Sequence, residues 1–123
     1  MANNKLLIVD DDENYSRMMV DFFRMSRYDV SFANNLEDAI NLFRKNRPSV
    51  VLLDFNMPIV TGEKFLPILQ SIDPAIRVIV ISGCIEEEVE DKFRGLGYFA
   101  FFEKGAMSLE SVRQTVDEAF LYY

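Results

Sequence analysis

Lys5-Leu6-Leu7-Ile8-Val9-Asp10-Asp11-Asp12 is a short unbroken apolar run that stops abruptly at three acids. Apolar residues without alternation mark a strand buried on both faces, here Lys5–Val9. Such a strand needs helices on either side of its sheet, and helical periodicity follows at once. Between Asn14 and Met25, the residues Met18, Phe22 and Met25 recur at helical spacing. Tyr28 to Ala33 reads as a second, short β-type segment. Asn35 is the expected N-cap of a helix carrying Leu36, Ile40 and Phe43 on one face, which Pro48 stops.

The same alternation continues along the chain. Ser49-Val50-Val51-Leu52-Leu53 predicts another doubly buried strand. Gly62 precedes a helix with Phe65, Leu69 and Ile72 in register. Pro67 is tolerable only in a first turn, so that helix is expected to start late. Asp73-Pro74 marks a turn, and Ile76 to Ile81 a fourth strand. Ile85, Val89, Phe93 and Leu96 repeat at helical spacing up to Gly97, and Tyr98 to Phe102 predicts a fifth strand. Ser108 caps a last helix with Val112, Val116 and Phe120 inward. Five β–α units are too few for an eightfold barrel. The expectation is an α/β fold, a doubly wound five-stranded parallel sheet in a three-layer α/β/α arrangement, forming a single domain over residues 1–123.

Composition narrows the function. The chain has 123 residues, half of them hydrophobic, with 20 Asp and Glu against 13 Lys and Arg and a net charge of −7. That balance speaks against direct nucleic-acid binding and against an anionic membrane surface. No histidine is present, which removes Ser-His-Asp and Cys-His catalysis and His-based zinc sites, and means that the chain cannot itself donate a phosphoryl group from histidine. The lone Cys84 allows no internal disulfide and has no base to activate it. Neither a signal peptide nor a long apolar span is visible, so a cytoplasmic location is expected.

In doubly wound sheets, sites form beyond the carboxyl ends of the strands. Those junctions carry Asp10, Asp11 and Asp12; then Asp54 with Phe55, Asn56, Met57 and Pro58; then Ser82, Gly83 and Cys84; then Glu103, Lys104 and Gly105. Taken singly, each has an ordinary structural role, as turn residue, helix N-terminus or surface charge. If the first and third strands are neighbours, about 4.8 Å apart, Asp10, Asp11 and Asp54 form one cluster. Three crowded carboxylates repel and call for a hard divalent cation with oxygen ligands, Mg2+ being suited because it needs few carboxylates. Lys104 supplies a further positive charge for phosphate oxygens and Ser82 a hydroxyl, and Asp54 is the natural nucleophile.

The runs Leu7-Ile8-Val9-Asp10-Asp11-Asp12, Leu52-Leu53-Asp54-Phe55-Asn56-Met57-Pro58 with Gly62, Val80-Ile81-Ser82-Gly83 and Phe101-Phe102-Glu103-Lys104 resemble the receiver domain of two-component response regulators. The resemblance implies flavodoxin-like strand order 2-1-3-4-5. It implies a phosphoacceptor switch in a phosphorelay rather than an enzyme acting on other molecules, one that catalyses only its own phosphorylation and dephosphorylation. Asp54 would be the phosphoacceptor, with Lys104 and Ser82 acting on the phosphoryl group. Mg2+, or Mn2+, would be held by Asp11, Asp54, the Asn56 backbone carbonyl and, through water, Asp10. Ser82 and Phe101 would be the switch pair, altering the surface of the fourth helix, fifth strand and fifth helix. Implied partners are a sensor histidine kinase or histidine phosphotransfer protein, a downstream protein or output domain, and a phosphorylation-dependent second copy. No output domain is visible in the chain.

Several positions depart from that pattern. Thr61 stands where the family usually has Asp, and Gly105 where it usually has a proline, which loosens the loop after Lys104. Small residues at Gly83 and Cys84 should leave the phosphoryl group open to water, with its lifetime set by Asn56 and Cys84. Tyr98 and Phe99 are expected to join Phe120, Leu121, Tyr122 and Tyr123 in an apolar patch. Three other functions match the residues less well. An aspartate-nucleophile phosphatase needs a second acid where Asn56 stands. A degenerate receiver acting only in binding would lack part of the acid–lysine set. A flavodoxin-like cofactor carrier would not place acids after the first strand.

Overall fold

The computed structural model describes residues 4–54, 62–83 and 97–121. Strand β1 (Lys5–Val9) lies inside a five-stranded sheet in the order β2-β1-β3-β4-β5, with β2 at Asp29–Ala33, β3 at Val50–Asp54 in the centre, β4 at Arg77–Ser82 and β5 at Ala100–Glu103. Every pairing is parallel. Leu6 to Val9 are buried without a break, as are all of Val50 to Asp54, because both faces of these strands are covered.

Alternate side chains feed two cores. Leu7, Val9, Val51, Leu53, Val78 and Val80 meet Ala39 and Phe43 of α2 (Leu36–Asn46) and Phe65, Leu66 and Leu69 of α3 (Gly62–Ile72). Leu6, Ile8, Val50, Leu52, Ile79 and Ile81 meet Met19, Val20 and Phe23 of α1 (Glu13–Met25) and Val112, Val116 and Ala119 of the C-terminal helix (Leu109–Leu121). The three-layer, doubly wound expectation therefore holds, with strand order 2-1-3-4-5.

Local signals mark the helix ends. The Asn35 side chain accepts the Asp38 N–H at 2.9 Å, and Arg47 closes α2 in the left-handed region at φ 51° just before Pro48. Ser108 accepts the Ser111 N–H at 3.1 Å ahead of the C-terminal helix. Asp12 caps α1, accepting the Tyr15 N–H at 3.1 Å. Asp12→Ala is expected to unfold about 1 kcal/mol more easily than Asp12→Asn, which removes the same charge but keeps the cap; urea melts of the two variants measure the difference.

Three details correct the pattern reading. Helix α3 starts at Gly62, so exposed Pro67 lies beyond its first turn. The helix forgoes the hydrogen bond that Pro67 cannot donate and is held instead by Phe65, Leu66 and Leu69 in the core. Phe120 is only half-buried: Ala119 faces the core, and Phe120 stacks on Tyr28 at 5.3 Å between ring centroids. Tyr98 and Phe99 pack against opposite cores and form no single patch with Phe120. Tyr122, Tyr123 and the helix expected over Ile85 to Leu96 lie outside the described residues.

Candidate functional site

Parallel register sets the site. Val9 pairs with Leu53, so Asp10 and Asp54 emerge side by side at the carboxyl end of the sheet. Asp54 is itself the last residue of β3, paired with Ile81, because the backbone ladder runs one residue past the apolar stretch. Both acids are deeply buried, at 5% and 4% exposure, whereas Asp11 is exposed. One carboxylate oxygen from each of Asp10, Asp11 and Asp54 lies within 4.8 Å of the others.

Lys104 reaches into this cluster from the end of β5. Its Nζ stands 3.4 Å from Asp10 Oδ2 and 3.5 Å from Asp54 Oδ2. Its backbone N–H donates to the Ser82 carbonyl at 2.8 Å, tying the β5 exit to the β4 exit. Asp10 is further engaged: its Oδ1 accepts the Asp12 N–H at 2.9 Å, and its own N–H donates to the Ala33 carbonyl at 3.1 Å. Gly105 therefore leaves Lys104 on the acids, despite the loosening expected from its side-chain-free backbone.

Ser82 is fully buried at the end of β4, in register with Glu103. Phe101, two pairs earlier, sits opposite Val80 and packs on the core beneath α2 and α3. The acids, Lys104 and Ser82 thus converge on one end of the sheet, with Phe101 two register pairs inside it. Asn56, Cys84 and Thr61 lie outside the described residues, and with them the expected control of phosphoryl lifetime. Gly83 is exposed, with nothing within 4 Å of where a Cβ would be.

The donor set fits a divalent cation. Three formal negative charges face a single ammonium, leaving two to be balanced, and all the offered atoms are hard oxygens. Asp10, Asp11 and Asp54 are the acids that could hold it, Asp10 and Asp54 sharing the Lys104 ammonium and Asp10 also accepting the Asp12 N–H.

Tyr15 is the participant that pattern reading missed. It lies in the first turn of α1, and its ring stands 4.8 Å from Lys104 Nζ. Burial, then the negative field of Asp10, Asp12 and Asp54, raises its hydroxyl pKa above the ordinary tyrosine value. An aromatic on a helix is unremarkable in sequence, and only the β1–β3–β4–β5 order brings it to Lys104.

A sequence model described as the response regulator receiver domain matches residues 6–117. The chain belongs to that family. This receiver domain is 31% identical over 116 residues to sporulation initiation phosphotransferase F of Bacillus subtilis, covering 94% of the chain and 93% of that protein. It is 34% identical over 103 residues to the regulatory protein AtoC of Escherichia coli, covering 84% of the chain but only 22% of AtoC. The fold matches that of Vibrio cholerae chemotaxis protein CheY4 with a TM-score of 0.86 at 22% identity, across 96% of this chain and 99% of that one. A phosphoacceptor signalling role fits the receiver family and its acidic pocket, and neither phosphatase nor cofactor carrier is favoured. Receiver domains are typically switches rather than enzymes. Among the described residues no helix is long and apolar enough to cross a membrane.

Proposed function

We propose that this single receiver domain, residues 1–123, accepts a phosphoryl group on Asp54 from the phosphohistidine of a sensor kinase or phosphotransfer protein in the cytoplasm, and passes the signal to a partner or output domain. The supporting observation is a buried carboxylate at a strand end, crowded by two acids and 3.5 Å from an ammonium. An Asp54 carboxylate oxygen attacks phosphorus, the new O–P bond forms as the donor's N–P bond breaks, and the donor imidazole leaves. Lys104 stays protonated and neutralises the equatorial oxygens, which is how positioning and electrostatics lower such barriers. Water attacking the same phosphorus later releases inorganic phosphate, so the domain promotes only its own phosphorylation and dephosphorylation.

Asp11 and Asp54 would hold Mg2+, with Asp10 assisting through water and the Asn56 carbonyl completing the set by its position in the sequence; when bound, the ion neutralises charge on the transferring group. Ser82 donates its hydroxyl to the phosphoryl group and Phe101 follows it inward. This favours one population of the surface formed by β5 and the C-terminal helix. Burial of Ser82, and of Phe101's neighbour Val80, supports that pairing.

Incubation with Mg2+ and acetyl phosphate tests the reading. The intact mass should gain a single phosphoryl group, peptide mapping should place it on residue 54, and EDTA should abolish it. Labelling that persists in EDTA, or that maps elsewhere, contradicts the assignment.

A further inference from the structure

Lysine is a flexible stem with a freely rotating ammonium, so its usefulness at a reacting centre depends on what holds it. At 3.4 and 3.5 Å, Asp10 and Asp54 attract the Lys104 ammonium but stand beyond the length of a directional charged hydrogen bond, about 2.7–2.9 Å. The backbone is fixed, with the Lys104 N–H on the Ser82 carbonyl at 2.8 Å and the Ala106 N–H on the Glu103 carbonyl at 3.0 Å, so the freedom that remains is in the four-carbon side-chain stem. The remaining described contact is the face of Tyr15, with the ammonium 4.8 Å from the ring centroid, within the range of a cation–π interaction.

Tyr15 is itself held at both ends. Its backbone N–H is fixed by the Asp12 cap at 3.1 Å. Its hydroxyl donates to Met107 Sδ at 3.2 Å, and Met107 packs against the core beneath α1 and the C-terminal helix. The ring is therefore a plate anchored to α1 on one side and to the segment after β5 on the other, with the ammonium between its face and the two buried acids.

We propose that Tyr15 is a positioning residue for Lys104, holding its ammonium between Asp10 and Asp54 and thereby setting the rate of phosphoryl transfer without taking part in Mg2+ binding. This rests on the phosphoacceptor reading above. Without the ring, the ammonium is free to close onto the carboxylates into ordinary hydrogen-bonded pairs, away from the incoming phosphoryl oxygens. Burial and nearby acids keep the hydroxyl protonated, so the plate remains a neutral phenol.

Two variants and one spectrum test this. Tyr15→Phe keeps the ring face and should phosphorylate from acetyl phosphate within about twofold of wild type, whereas Tyr15→Leu should be slower by about fivefold. Mg2+ affinity, read by titration, should be unchanged in both, which a merely structural loss would not leave intact. In metal-free wild type, the Lys104 ε-methylene protons should resonate upfield of the other lysines through the ring current, and Tyr15→Leu should remove that shift. Equal loss of rate in Phe and Leu, an unimpaired Leu variant, or a wild-type Lys104 without the upfield shift each overturns the proposal. If Tyr15→Leu does not fold, the wild-type spectrum and the Phe variant still decide it. Absence of any label on wild-type Asp54 would instead remove the phosphoacceptor reading, which the spectrum does not depend on.

Discussion

Asp54→Asn is expected to abolish phosphoryl labelling while leaving the domain at least as stable as wild type in Mg2+-free buffer. The amide keeps the size of the carboxylate but offers no anionic oxygen to attack phosphorus, so transfer stops. Stability follows from opposing charges. With an effective dielectric near 20, the attraction lost to Lys104 at 3.5 Å is on the order of 5 kcal/mol. The repulsion relieved from an acid oxygen within 4.8 Å is on the order of 3.5 kcal/mol for each of Asp10 and Asp11, and exposure of Asp11 cuts its share severalfold. The two sides nearly cancel, and removing a buried charge also removes its desolvation cost. The net change should fall between zero and about 2 kcal/mol in favour of the variant. Mg2+ should raise the melting temperature of wild type more than that of Asp54→Asn. A labelled variant would end the Asp54 assignment, and one clearly less stable than wild type would show that the acids are not in mutual repulsion.

Phe23→Ala should be the most damaging single change in the core. Phe23 is fully buried, edge-on to Phe22 at 5.2 Å and to Tyr28 at 5.8 Å, and Tyr28 stacks in turn on Phe120. This aromatic chain joins α1 to the start of β2 and to the C-terminal helix. Truncation leaves a cavity that close-packed neighbours only partly fill, costing about 3–5 kcal/mol, a large part of the roughly 5–15 kcal/mol that holds such a domain together. Thermal melts should drop by roughly 10–20 °C, whereas Phe120→Ala, at the half-exposed end of the chain, should cost less. A drop of only a few degrees for Phe23→Ala would mean that α1 contributes little to the core.

Much of this molecule was legible in its residues because the governing interactions are local. Lys5–Val9 as a strand, the caps at Asn35 and Ser108, and the stop at Pro48 depend on neighbours within a turn or two. The acids at the strand exits were equally legible, since the end of an apolar run can be read directly. Where non-local packing decides, the pattern misled: α3 runs on past Pro67 because three core contacts outweigh one missing hydrogen bond, and Tyr98 and Phe99 part to opposite faces because successive strand-edge residues alternate.

From the chain alone came the alternation of strands and helices, the acids at their exits and, through the receiver-like motifs, the expected strand order. Periodicity is blind to which strand lies beside which, since a buried strand looks the same next to any neighbour. Only the tertiary structure put Val9 opposite Leu53, closed Asp10, Asp11 and Asp54 to within 4.8 Å, and laid Tyr15 against Lys104. Those contacts join residues far apart in sequence, and sheet register and side-chain packing, rather than any local preference, set their distances.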